Sequence, residues 1–167
     1  MILITAHRRE SFGEGITNIC RAIRILAGKY KSLQFVYPVH LNPNIKRIVH
    51  QSLDGIDSVF LTDPVNYDEM VYLMKNARII LTDSGGIQEE APALRIPLIV
   101  MRDVTERPEG IEAGCAELGG TTTDGIVNAF ENIYLNSAKY EEMRNATNPY
   151  GDGKASQRIA TIIRQFL

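Results

Sequence analysis

An α/β fold, with a parallel sheet covered by helices on both faces, is predicted by three observations. Short apolar runs recur along the chain, at 2–6, 33–39, 58–61, 78–82 and 97–101, with a weaker sixth at 115–118. The runs are rich in Ile, Val and Leu and do not alternate with polar residues, which is how strands buried on both faces read. Helical stripes lie between them, so the order is βαβαβαβαβ, the pattern of a parallel sheet with crossover helices.

In chain order, the first run is followed by Ile16, Ile19, Cys20, Ile23, Leu26 and Ala27, which share one helical face. After the second run, Ile45, Ile48 and Val49 repeat the pattern, with Asn42 or Asn44 available as a cap and Pro43 suited to the first turn. After the third come Met70, Val71, Leu73 and Met74. After the fourth, Pro92 ends or kinks a helix early because it lacks the helical N–H. Ile159, Ile162, Ile163 and Phe166 form the stripe of a C-terminal helix. No internal repeat, low-complexity tract or long linker interrupts the series, so residues 1–167 read as one domain.

The 167 residues suffice for one domain with a real core, and a hydrophobic fraction of 44% with 23% charged residues is ordinary for a globular protein. A net charge of −2 argues against a nucleic-acid binder while allowing a local cationic pocket. The two cysteines, Cys20 and Cys115, stand outside any CxxC or Cys/His cluster, as structural thiols of a reducing compartment do. No run reaches the ~18 apolar residues of a membrane span. The first residues do not read as a signal peptide, so the expected location is cytoplasmic and no membrane partner is expected.

Ligands of an open parallel sheet bind outside the carboxyl ends of its strands, so the residues after each strand carry the chemistry. After the first stand His7, Arg8 and Arg9, an imidazole and two guanidiniums suited to phosphate or carboxylate, though a solvated basic turn reads the same way. After the second stands His40, a residue with no structural need to be histidine. His50, inside the next helix, reads as a surface residue.

After the fourth comes Asp83-Ser84-Gly85-Gly86-Ile87-Gln88-Glu89-Glu90. The two glycines allow positive φ and close approach of a ligand, Ser84 can cap, and the N–H groups of the following helix point at an anion. Glu90, one turn beyond Gly86, can accept from a ribose diol. After the fifth, six of the eight residues 102–109 are ionisable or hydroxylic. That suits a solvated loop or one closing over a charged ligand, with Arg107 the expected phosphate contact. The cluster Asn148-Pro149-Tyr150-Gly151-Asp152-Gly153 reads as a reversal before the last helix. The three histidines lack metal-ligand spacing, and neither GxGxxG nor GxxxxGK[ST] occurs.

Five motifs come in order: Thr5-Ala6-His7-Arg8-Arg9-Glu10, Tyr37-Pro38-Val39-His40-Leu41-Asn42-Pro43, Thr82-Asp83-Ser84-Gly85-Gly86-Ile87-Gln88-Glu89-Glu90-Ala91-Pro92, Arg102-Asp103-Val104-Thr105-Glu106-Arg107-Pro108-Glu109 and the turn 148–153. Together they resemble the non-hydrolysing UDP-N-acetylglucosamine 2-epimerases, over essentially the whole chain. The resemblance implies a Rossmann-like domain, one half of a GT-B-type two-domain enzyme whose N-terminal domain is absent from this chain. It implies interconversion of UDP-GlcNAc and UDP-ManNAc by UDP elimination and re-addition, no cofactor, no metal, a homodimer of the full-length enzyme and a product that feeds cell-surface polysaccharides.

By the same resemblance His7 contacts substrate near the diphosphate and matters for turnover. Ser84, Gly85 and Gly86 form the phosphate turn, Glu90 holds the ribose and Arg107 contacts UDP. Val65 and Met70 line the uracil pocket, where some relatives carry an aromatic residue in place of Met70. Arg8 and His40 resemble residues of a second, regulatory site found in some bacterial members. The carboxylates that handle the C2 proton belong to the other domain, so this chain alone is expected to bind UDP weakly and not to epimerise. One alternative is a GT-B glycosyltransferase donor domain, which the His7-Arg8-Arg9-Glu10 mouth and the 105–109 loop disfavour; another is a non-catalytic nucleotide-sugar sensor that kept the pocket and lost the chemistry.

Overall fold

The computed structural model describes residues 1–8 and 13–166. Arg9, expected as the second guanidinium of the first mouth, lies outside the described residues. Six strands, β1 (Ile2–Thr5), β2 (Phe35–Pro38), β3 (Val59–Thr62), β4 (Ile79–Thr82), β5 (Leu98–Val100) and β6 (Ala116–Leu118), form one all-parallel sheet. The order across it is β3-β2-β1-β4-β5-β6. The strand order reverses between β1 and β4, which opens a crevice where their following loops diverge. Thr5 pairs with Thr82, so both strands end level and their loops leave side by side.

Helices α1 (Glu14–Lys29), α2 (Pro43–Leu53), α6 (Thr123–Tyr134) and α7 (Ser137–Asn145) pack on one face, around Ile2, Ile4, Phe35, Tyr37, Ile79 and Leu81. The other face, with Leu3, Ile80, Leu98 and Val100, is covered by α3 (Tyr67–Asn76), α4 (Gly85–Glu90) and α5 (Pro108–Glu112). The α1 stripe is buried as the 3.6-residue spacing requires, with Ala22 added to it. Asn42 caps α2 by accepting from the Asn44 N–H at 3.0 Å, with Pro43 in its first turn. Asn66 and Glu69 close a capping box at the start of α3. Pro92 lies where α4 gives way to a 3-10 turn at Ala91–Leu94, as its missing N–H demands.

Three expectations change. Strand β3 is an edge strand in which Val59 and Leu61 are partly buried against the core and Phe60 is 45% exposed, since its outer edge pairs with no strand among the described residues. No element is assigned above to 119–147, yet α6 and α7 fill it. The α6 residues Ile126, Ala129, Phe130 and Ile133 have helical spacing, a signal readable from the sequence. The C-terminal stripe forms α8 (Ala155–Ile163), but none of its residues is buried; Ile159, Ile162 and Ile163 are each more than half exposed.

Candidate functional site

The carboxylate of Asp83, fully buried just past β4, closes the switch point. It accepts from the His7 N–H at 3.1 and 3.0 Å and from the Arg8 N–H at 2.9 Å. Beneath it the Thr5 and Thr82 hydroxyls meet at 2.6 Å, and Thr82 Oγ1 accepts from the Ser84 N–H at 3.0 Å. Buried Tyr37 donates to the Ala6 carbonyl at 3.0 Å, and burial holds its phenol well above the usual range, so it stays a neutral donor. Two loops 75 residues apart are thereby fixed against each other by hydrogen bonds to a charged group, the stronger kind. The role of Asp83 is missed by sequence reasoning, because an aspartate before a Ser-Gly-Gly turn reads first as a turn former.

Ser84 takes the position before α4, but its hydroxyl makes no cap bond to the helix and instead lines the neighbouring cleft. Neither Gly85 nor Gly86 has positive φ, contrary to the sequence expectation, since both lie inside α4. What Gly85 provides is room. A Cβ there would stand 3.2 Å from Arg8 Nη2 and 4.0 Å from Arg107 Nη2, so two guanidiniums converge on it. At Gly86 a Cβ would meet, among the described residues, only Ser84 Oγ, at 3.9 Å, so none of them demands glycine there.

The loop after β5 is pinned onto α4. Thr105 Oγ1 donates to Oε1 of buried Gln88 at 2.6 Å and accepts from the Arg107 N–H at 3.0 Å. Tyr150, from the 148–153 turn, donates to the Arg107 carbonyl at 3.4 Å and sits so close to Gly110 that a Cβ there would stand 2.7 Å from its hydroxyl. That turn is more than a reversal, since it holds the arginine loop from behind. Arg107 Nε bonds Glu89, and Arg8 and Arg102 both bond Glu106. These two guanidiniums hold the Glu106 carboxyl down at about 2.

On the other side of the switch point lies a cleft of about 200 Å³, lined by Thr5, Ala6, His7, Pro38, His40, Pro64, Val65, Met70, Ser84 and Ile87. The His7 and His40 rings stack across it with centroids 5.7 Å apart. His40 Nδ1 accepts from the Asn42 N–H at 3.1 Å, so its ring proton sits on Nε2 and histidine has a structural task here after all.

The structure thus brings His7, His40, Val65, Met70 and Ser84 to one cleft, and Arg8, Gly85 and Arg107 to the adjoining mouth. Glu90 ends α4, half-buried and one turn beyond Ile87 of the cleft lining; its neighbour Glu89 is the partner of Arg107. His50 pairs with Asp54 at 3.0 Å on the surface. Burial raises both thiols, Cys20 to about 12, which makes them poor nucleophiles. Among the described residues no group of three or more His, Cys, Asp or Glu is placed to hold a metal ion, and no helix is long and apolar enough to cross a membrane.

The family model described as UDP-N-acetylglucosamine 2-epimerase matches residues 1–164. A Yersinia pestis UDP-N-acetylglucosamine 2-epimerase is 52% identical over 164 residues, covering 98% of this chain and 44% of its own length. A Neisseria meningitidis UDP-GlcNAc 2-epimerase, crystallised with UDP-GlcNAc, superposes with a TM-score of 0.94 at 48% identity, over 98% of this chain and 44% of that one. An E. coli heptosyltransferase solved with ADP shares the fold alone, with a TM-score of 0.59 and 14% identity over 80% of this chain and 42% of that one. The chain therefore spans less than half the length of the relatives it matches.

Proposed function

The chain belongs to the UDP-N-acetylglucosamine 2-epimerase family, and from that premise we propose that it is the UDP-binding half of a non-hydrolysing epimerase that interconverts UDP-GlcNAc and UDP-ManNAc. The observation that carries this reading is the pairing of a cleft and a cationic mouth at one switch point, clipped together by Asp83. Val65 and Met70 face the uracil in the cleft. The diphosphate lies over Ser84, Gly85 and Gly86 beside Arg107, and Glu90 reaches the ribose. Among the described residues none crowds a Cβ at Gly86, which supports close approach of a ligand there.

The reaction needs removal of a weakly acidic C2 proton and departure of UDP from C1. This chain answers the second need. Arg107 neutralises charge that builds on the departing diphosphate, and His7, held by its backbone to Asp83, lies between cleft and mouth where it contacts that group. The base that takes the C2 proton comes from the remaining length of the relatives, in a cytoplasmic homodimer. Arg8, whose guanidinium reaches Gly85 at the mouth, and His40, which lines the cleft, also border a second nucleotide-sugar site in the full-length enzyme.

Calorimetric titration of the 167-residue chain with UDP, alongside an assay for UDP-ManNAc, tests this reading. Weak UDP binding without turnover is expected. Absence of UDP binding would sink the site, and steady conversion of UDP-GlcNAc would sink the assignment as one half.

A further inference from the structure

Among the described residues, Arg8, Arg102 and Arg107 face the mouth, and Glu106 and Glu89 pair with them. Glu106 is gripped by two forks that come from different loops. Arg8 Nη1 and Nη2 donate to its two oxygens at 3.1 and 3.0 Å, and Arg102 Nη1 and Nη2 donate to them at 3.4 and 3.3 Å. A guanidinium fork takes two oxygens of a phosphate as readily as two of a carboxylate.

The partners differ in how firmly they are held. The Arg102 side chain is only 10% exposed at the end of the central sheet, whereas that of Glu106 is 56% exposed on an irregular loop. The loop does not depend on the carboxylate for its place, since Thr105 anchors it to Gln88 and Tyr150 anchors the Arg107 carbonyl. More than half of the Glu106 side chain already meets solvent, so its release uncovers no buried group of its own. The Arg8 end of the clamp is also the end that reaches Gly85.

We infer that Glu106 is an internal competitor for the diphosphate: its carboxylate occupies the Arg8–Arg102 clamp in this structure, and a diphosphate takes the clamp by displacing it. The inference rests on the UDP reading for the identity of the incoming anion. The exchange swaps one anion for another on the same two guanidinium forks. It also filters ligands, because a weakly charged anion does not outcompete a tethered carboxylate, whereas a polyanion does.

The test compares the 167-residue chain with its Glu106→Gln variant, each titrated with inorganic pyrophosphate and with UDP; urea unfolding verifies that the exposed substitution leaves the fold intact. Removal of the tethered charge is expected to tighten both ligands by about ten-fold. Unchanged or weaker binding of both overturns the inference and makes Glu106 a support for the arginines. Tighter pyrophosphate with unaltered UDP also overturns it, because the diphosphate of UDP then lies elsewhere. If neither variant binds UDP but both bind pyrophosphate, the UDP reading fails by itself, and the ratio between the variants on pyrophosphate still decides the competition. If neither binds pyrophosphate, the inference falls.

Discussion

On the β1–β3 side of the switch point the mouth is a cleft walled by Pro38, Pro64, Val65, Met70 and two stacked imidazoles. On the β4–β5 side Arg8, Arg102 and Arg107 are tied to Glu106 and Glu89. The first side presents shape and apolar surface, which suit a flat ring. The second presents charge, which suits phosphate. The difference follows from what lies beneath each. The cleft is bounded by the chain after β2 and β3, where β3 is a partly exposed edge and Pro38, Pro64 and Val65 form part of the wall. The charged mouth stands over the central strands β4 and β5, where a rigid buried base fixes long side chains whose tips must still meet partners. Asp83 belongs to both sides, since it anchors the backbone of His7, which lines the cleft, and of Arg8, which joins the mouth.

The comparison predicts a graded set of responses to substitution. The largest effect belongs to Asp83→Ala, which strips three charge-assisted contacts from two backbone N–H groups. We expect a loss of about 3 kcal/mol of stability in urea unfolding, together with weakened binding of both UDP and pyrophosphate. If stability is retained and only one ligand weakens, Asp83 does not join the two sides. Next comes Glu90→Gln, which should weaken UDP by a few-fold to a hundred-fold, since a charge-assisted bond is worth ~1.5–3 kcal/mol, while pyrophosphate affinity stays the same. Equal affinity of both variants for UDP in calorimetry would remove Glu90 from the ribose. The smallest effect is expected of Met70→Ala. It removes half-buried apolar surface from the cleft wall, so UDP should bind about three- to ten-fold more weakly and pyrophosphate unchanged. A pyrophosphate response to this change would mean that the two sides are not separate.

Much of this arrangement is legible in residue order alone. Five apolar runs and the stripes of α1 to α3 give the sheet and its helices, because periodicity is local. The weaker run 115–118 becomes β6, and the stretch that becomes α6 carries its helical spacing openly. The site is legible in kind and less so in role. Gly85 and Gly86 are recognisable as glycines that let something approach, but their φ angles are ordinary, and what crowds Gly85 is the pair of guanidiniums from loops on either side. The acidic pair Glu89-Glu90 reads as one feature, whereas only the fold shows that Glu89 pairs with Arg107. The stripe of α8 reads as core and is exposed, because periodicity specifies that a face is apolar and not what it meets.

By itself the sequence determined that this protein is a parallel α/β domain whose strand ends carry arginines, histidines and a Ser-Gly-Gly turn. It also determined the family, through five motifs in order. Only the tertiary structure decided that β1 lies beside β4, that Asp83 holds the backbone of His7 from 76 residues away, and that Glu106 reaches Arg8 across 98. The physical reason is that strand order and ion-pair choice depend on contacts between distant segments. A side chain's type is written in the chain, but the partner that satisfies its hydrogen bonds is chosen only when the sheet closes.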